Sequence, residues 1–237
     1  MDANNVRQQW ADRSGEYSPA YYAYYGPDET SELIRASLAR ELDREASILE
    51  LGCSSGRHLA HLHEDGFDSL AGVDINDEAF DVMADAYPDL AEAGTFHVDS
   101  IENVVAEFDD DRFDAVYSAQ TLQHIHPDDE WVFDELARIT DEVFVTAEIE
   151  EPAEDAEPAD DTDPGTVADS PTDPDSVADA DSATDDGHGD ADVNYVHDEL
   201  PLYYRDWERV FTERGFEQVD VGETRRDTVR TFRATTA

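Results

Sequence analysis

Between residues 47 and 148, short apolar runs alternate with turns and helical stretches, and this alternation restricts the chain more than any other feature. The pattern predicts strands at 47–51, 69–73, 95–98, 113–118 and 142–148. Helices are expected at 56–64, at 77–86 (stopping before Pro88) and at 128–138. Repeated strand–helix–strand units of this length imply a mostly parallel sheet covered by helices on both faces, an α/β doubly wound architecture. A further helix near 203–214, with Trp207, Val210 and Phe211 on one side, precedes strands at 216–222 and 228–234 that are close enough to pair antiparallel. The sheet then has seven strands.

The first strand ends in Ile48-Leu49-Glu50-Leu51 and opens into Gly52-Cys53-Ser54-Ser55-Gly56 before the first helix. Small residues let the backbone approach a ligand closely and take up positive φ, and the helix behind them offers free N–H groups. Two further strands also end in acids, at Asp74 after Ala71-Gly72-Val73 and at Asp99 after His97-Val98. In an open α/β sheet, ligands bind outside the carboxyl ends of the strands, where all three features fall. This edge is suited to a nucleoside-bearing cofactor.

Dinucleotide enzymes call for Gly-x-Gly-x-x-Gly, whereas this turn reads Gly52-x-Ser54-x-Gly56 with an acid ahead of it at Glu50. The arrangement resembles the class I S-adenosylmethionine-dependent methyltransferases, whose first motif is acid-x-Gly-x-Gly-x-Gly; Ser54 replaces the middle glycine. The resemblance covers residues 47–148, and 203–234 by strand order. It implies the Rossmann-like methyltransferase fold and S-adenosylmethionine as cofactor. Carried over position by position, it implies that Asp74 accepts the ribose hydroxyls and Ile75 packs on the adenine. Asp99 would receive the adenine amino group, with Ser100 and Ile101 alongside. Glu50 would orient the methionyl ammonium above the turn residues Gly52, Cys53, Ser54 and Gly56. Ser118 and Gln120, after the fourth strand, would pass the methionyl moiety and the methyl group.

A sulfonium methyl is already electrophilic, so catalysis is mainly alignment of an incoming lone pair. A base helps only where the acceptor must lose a proton. His124, in Leu122-Gln123-His124-Ile125-His126-Pro127, is the leading candidate for that base and His126 the second; His124 packing against the next helix is the plainer alternative. The His-x-His pair has no further spaced ligands for a metal. His58, His61 and His63 on the first helix are expected to face solvent. Two other functions stay open: an NAD(P)-dependent oxidoreductase, opposed by Ser54 and by the position of Glu50, and a cofactor-binding scaffold without chemistry. The acceptor is expected to be a small molecule. Ser118-Ala119-Gln120-Thr121 stands where amine methylases of DNA carry an Asn-Pro-Pro-Tyr signature, and there is no basic stripe for nucleic acid.

The charge is extreme, with 61 acids against 15 bases and a net of −46. Every base is arginine. Taking the sixteen acids of residues 151–192 from the net −46 still leaves −30 on the rest, so the acidity is global. Such self-repulsion is largely screened at molar salt, where the Debye length falls to about 3 Å. A high-salt cytoplasm, as in halophilic archaea, follows as an expectation, and the resemblance is therefore to a haloarchaeal-type methyltransferase. The single cysteine, Cys53, excludes an internal disulfide, and neither a long apolar span nor a signal-like leader is visible.

The expected organisation is an N-terminal helical cap over 1–45 and a core of 46–149 with 194–237. Between the two core segments lies an acidic disordered insertion, 150–193, either a mobile lid or an insertion without a role in catalysis. That insertion has no aromatic residue and near-repeats Thr162–Asp169 as Thr172–Asp179, a composition too polar to offset ordering entropy. A helix is placed from about Thr30 to Leu42. The cap's tyrosines and the segment Tyr195, His197, Tyr203 and Tyr204 flank the ligand edge in sequence order. Tyr17 and Tyr21 are expected within reach of the cofactor, and Tyr21 and Tyr203 are candidate acceptor-site residues.

Overall fold

A computed structural model describes residues 2–150, 193–196 and 200–235. Residues 151–192, the bulk of the expected acidic insertion, and His197 lie outside the described residues, as do the side chains of 193–196.

Five strands run as expected: β1 (Ser47–Leu51), β2 (Ser69–Asp74), β3 (Thr95–Val98), β4 (Phe113–Ala119) and β5 (Thr140–Glu148). A short hairpin follows, β6 (Val193–Val196) with β7 (Leu200–Tyr203), and then β8 (Phe216–Glu223) and β9 (Thr228–Ala234). The main sheet has seven strands in the order β3-β2-β1-β4-β5-β9-β8. β1 to β5 pair in parallel, while β9 runs antiparallel between β5 and β8.

The helices are α1 (Ala3–Ala11), α2 (Pro19–Tyr25), α3 (Glu29–Glu41), α4 (Arg57–Glu64), α5 (Glu78–Ala86), α6 (Pro88–Ala93), α7 (Ile101–Val105), α8 (Trp131–Ile139) and α9 (Trp207–Thr212). Side chains alternate across each strand, so each strand feeds two cores. On one face Leu49, Leu51, Val116, Phe144 and Phe232 pack under α7, α8 and α9 through Val104, Phe133, Leu136, Trp207 and Phe211. On the other, Ile48, Ala115, Tyr117, Val143 and Val145 pack under α3 to α6 through Ile34, Leu38, Leu59, Met83 and Leu90.

Several departures from the sequence reading have local causes. Pro88 ends α5 but also starts α6 as its first residue, where its missing N–H costs nothing. Ser100 caps α7 by accepting from the Asn103 N–H. α8 begins three residues late, because His126 Nδ1 accepts from the Asp128 N–H and tightens Pro127–Asp129 into a 3-10 turn. Tyr203 belongs to β7 rather than to a helix, and α9 starts only after Asp206, which accepts from the Arg209 N–H at 2.9 Å.

Candidate functional site

The β1–α4 turn alternates left-handed residues, with φ of 66° at Gly52, 47° at Ser54 and 78° at Gly56. Ser54 thus takes a left-handed conformation that glycine adopts freely, at a cost of about 1–2 kcal/mol for a side chain in that region. The turn offsets this by donating the Ser54 N–H to Asp74 Oδ2 at 2.7 Å, which ties the end of β1 to the end of β2. At Gly52 there is no room for a side chain, because a Cβ would collide with the side chain of Thr121. Gly72 of β2 is equally confined, since a Cβ there would lie 2.6 Å from Cys53 Sγ.

Asp74 Oδ1 accepts from the Asn76 N–H at 2.8 Å. Burial pushes its carboxyl above the ordinary range, against the N–H donors of Asn76, Ser54 and Ile75. Its two oxygens still hold unused lone pairs, so a vicinal diol can be added without breaking these bonds. Asp99 is exposed on the neighbouring strand end; its Oδ1 accepts from the Ser100 N–H at 2.7 Å and from Asn103 Nδ2 at 2.8 Å.

After β4 the chain turns sharply, with Gln120 left-handed at φ 52°. The turn is anchored from beneath by Glu148 at the end of β5. Its Oε1 accepts from Ser118 Oγ at 2.5 Å and from the N–H groups of Thr121 and Leu122 at 3.2 and 3.1 Å. Burial pushes this carboxyl up to about 7 despite those donors. His124 Nδ1 lies 3.2 Å from the Pro201 carbonyl. A carbonyl only accepts, so Nδ1 carries the proton and Nε2 keeps its lone pair. Burial pushes the imidazole down to about 4, so it is neutral near pH 7. Its ring meets Trp10 edge-on, with centroids 4.7 Å apart.

These groups share one cavity of about 1020 Å³, counting the solvent at its mouth. Gly52, Cys53 and Ser54, Asp74 and Ile75, Asp99 to Ile101, Gln120 and His124 all line it. Helix α1 contributes Val6, Arg7 and Trp10 to its lining, and Asn76 Nδ2 donates to the Arg13 carbonyl at 3.0 Å, which ties the N-terminal segment to the Asp74 loop.

Residues 48–142 match the family described as "Methyltransferase domain". A stretch of 92 residues is 32% identical to an Escherichia coli O-antigen chain terminator, a bifunctional methyltransferase/kinase; the stretch is 38% of this chain and 13% of the relative. The chain therefore spans only a small part of the curated relatives it matches. Among solved structures, the magnesium protoporphyrin IX methyltransferase of Synechocystis with bound SAM aligns over 99% of this chain and 98% of its own, at 12% identity and TM-score 0.61. A Burkholderia thailandensis 1,6-didemethyltoxoflavin-N1-methyltransferase, with its toxoflavin precursor and S-adenosylhomocysteine bound, aligns over 99% and 89%, at 17% identity and TM-score 0.62. The fold is that of the S-adenosylmethionine-dependent methyltransferases.

Not every expected site residue reaches the cavity. Glu50 is 1% exposed and sits below the turn, accepting from Tyr117 OH at 2.9 Å, with burial holding its carboxyl well above the usual range. Gly56 shapes the turn from behind, against Met83. Ser118 is fully buried and spends its hydroxyl on Glu148. Tyr203 is buried on the far side of the His124 loop, edge-on to His126 and beside Arg205. Tyr21 lines a neighbouring cleft instead, whereas Tyr17 lines both.

His58 overturns the expectation of a solvent-facing histidine. It is buried, and Arg57 Nε donates to its Nε2 at 3.2 Å, so Nδ1–H donates to Ser31 Oγ at 2.7 Å. Burial pushes its pKa down to about 3. Ser31 is also the third residue of the Asp28 capping box, so this one contact joins the start of α3 to the start of α4.

Proposed function

We propose that the chain transfers a methyl group from S-adenosylmethionine to a small-molecule acceptor, in the cytoplasm of a haloarchaeal-type, high-salt organism. The observation that carries this reading is the tie between Ser54 and Asp74, which faces Asp99 across one cavity. The donor set fits the cofactor: Asp74 for the ribose hydroxyls, Asp99 with Ser100 and Ile101 for the adenine, Ile75 as its apolar wall, and Gly52 to Ser54 beside the methionyl chain. When bound, S-adenosylmethionine supplies a sulfonium methyl group open to a nucleophile.

The chain's own contribution is positional. Helix α1 lines the cavity with Val6, Arg7 and Trp10, while Gln120 and His124 line it on the post-β4 side. With Nδ1–H committed to Pro201, His124 offers Nε2 to the proton of an incoming hydroxyl or amine. So weak a base orients that proton better than it removes it. The same reading gives the N-terminal segment 1–45 the role of a cap on a core of 46–149 with 194–237, interrupted by the acidic insertion 150–193. The extreme acidity without lysine supports the high-salt setting.

Titration calorimetry in molar KCl tests the proposal, with S-adenosylmethionine and NAD as competing ligands. S-adenosylmethionine is expected to bind and NAD not to. Asp74→Asn should weaken S-adenosylmethionine by about tenfold or more, as for loss of charge-assisted hydrogen bonds. Preference for NAD, or an Asp74→Asn variant that binds as well as the parent, would refute it. Release of S-adenosylhomocysteine in the presence of a metabolite extract separates an enzyme from a binding scaffold.

A further inference from the structure

A second cleft, about 1000 Å³ counting the solvent at its mouth, adjoins the cofactor cavity, and Tyr17, Tyr22, Arg57 and Gln120 line both. One wall is aromatic. Tyr21, Tyr22 and Tyr25 project from α2, with Tyr21 and Tyr25 centroids 4.8 Å apart and Tyr17 5.6 Å from Tyr21. The turn from β8 to β9 adds Arg225 and Arg226 to the same lining.

In a chain with 61 acids and 15 bases, acids at a site say little and cations say much. Eleven of the fifteen arginines pair with carboxylates among the described residues. Arg225 and Arg226 are exposed and stand outside that set.

The acids of the cleft are largely spoken for. Asp28 pairs with Arg57 at 2.9 Å. Asp227 is 3% exposed, and its oxygens accept from Gln120 Nε2 at 2.8 Å and Thr30 Oγ1 at 2.9 Å, so it fixes Gln120 in the wall between the two cavities. The lining is formally balanced, with Asp28, Glu29 and Asp227 against Arg57, Arg225 and Arg226; with Asp28 on Arg57 and Asp227 buried, Glu29 is the remaining acid against the two exposed guanidiniums.

We propose that the methyl acceptor is a planar aromatic molecule bearing a carboxylate, its ring against the tyrosines and its carboxylate on Arg225 and Arg226. Tyrosine faces hold flat rings by offset or edge contacts. A guanidinium fork matches the two oxygens of a carboxylate. Molar salt cuts the Debye length to about 3 Å, which removes long-range steering and leaves recognition to groups in contact. Tyr17, Tyr22, Arg57 and Gln120, shared by the two linings, connect this cleft to the cofactor cavity. The proposal rests on the methyl-transfer reading.

The test separates the two. S-adenosylhomocysteine is first titrated into the full chain in molar KCl; failure to bind removes the methyl-transfer reading and this proposal with it. The saturated protein is then titrated with salicylate, anthranilate and indole-acetate, each against its own carboxamide, and with tyramine as the cationic aromatic. At least one carboxylate should bind about tenfold or more tighter than its amide, as for a charge-assisted pair. Arg225→Gln with Arg226→Gln should bring the pair level while leaving S-adenosylhomocysteine affinity unchanged. The proposal is overturned if no carboxylate outbinds its amide, if tyramine is preferred, or if the double variant keeps the preference.

Discussion

Two buried residues set opposite trends of stability with pH. His58 has its pKa pushed down to about 3 from 6.5, so the unfolded chain binds the extra proton first as pH falls. Its contribution is full above pH 6.5 and is lost as pH drops toward 3. Glu148 has its pKa raised from 4.5 to about 7, so its contribution is full below pH 4.5 and is lost as pH rises through 7. Each bound proton is worth about 1.4 kcal/mol per pH unit of slope. Glu148→Gln can keep a carbonyl oxygen under Ser118, Thr121 and Leu122 without titrating. Thermal or urea unfolding in molar KCl should therefore show the variant gaining on the parent from pH 5 to pH 8, by up to about 1.4 kcal/mol per pH unit. Parallel curves would mean that Glu148 is ionised throughout and that the post-β4 turn is held by a charge.

Among the elements, α1 is the part of the cavity lining that stands outside both hydrophobic cores. Arg7 of α1 reaches Glu102 of α7 and Asp129 of the 3-10 turn, each at 2.9 Å, and lines the cavity itself. Arg7→Ala should loosen α1 by about 1 kcal/mol, since the group is partly exposed, and lower S-adenosylmethionine affinity about fivefold. The melting temperature should hardly change, because both hydrophobic cores close without α1. A drop in melting temperature equal to that of a core substitution would contradict this division.

The same division explains what the sequence disclosed. Strands β1 to β4 and helices α3 to α5 could be read within a few residues, because their periodicity and their Gly, Pro and Asp punctuation are local. The turn, Asp74 and Asp99 could be read because each ends a strand. Of the N-terminal segment's share of the cavity, Tyr17 could be anticipated, whereas Val6, Trp10 and Tyr22 meet the site only through tertiary packing. Thr121 bears on the turn because β4 lies beside β1, and no residue pattern records that contact. Glu50, Gly56 and Ser118 fit their motif positions, yet their side chains or surroundings belong to the layer behind the cavity wall, as does Tyr203, which only sequence order brings to the ligand edge. His58 was misread because its partner, Ser31, lies on another helix.

At the scale of the molecule, the charge dominates. With a net of −46, self-repulsion acts across about 10 Å at 0.1 M salt and about 3 Å at 1 M. The melting temperature should rise continuously with KCl over that range, followed by circular dichroism, and a flat profile would remove the high-salt reading. The sheet order has a second consequence, for synthesis. Strand β9 comes last in the sequence but lies inside the sheet, between β5 and β8. The cofactor edge is therefore encoded by residue 148, while the open side of β5 has no neighbour until residues 228–234 leave the ribosome. On a chain still being made, that row of free N–H and C=O groups is the place where two nascent copies can join by mistake.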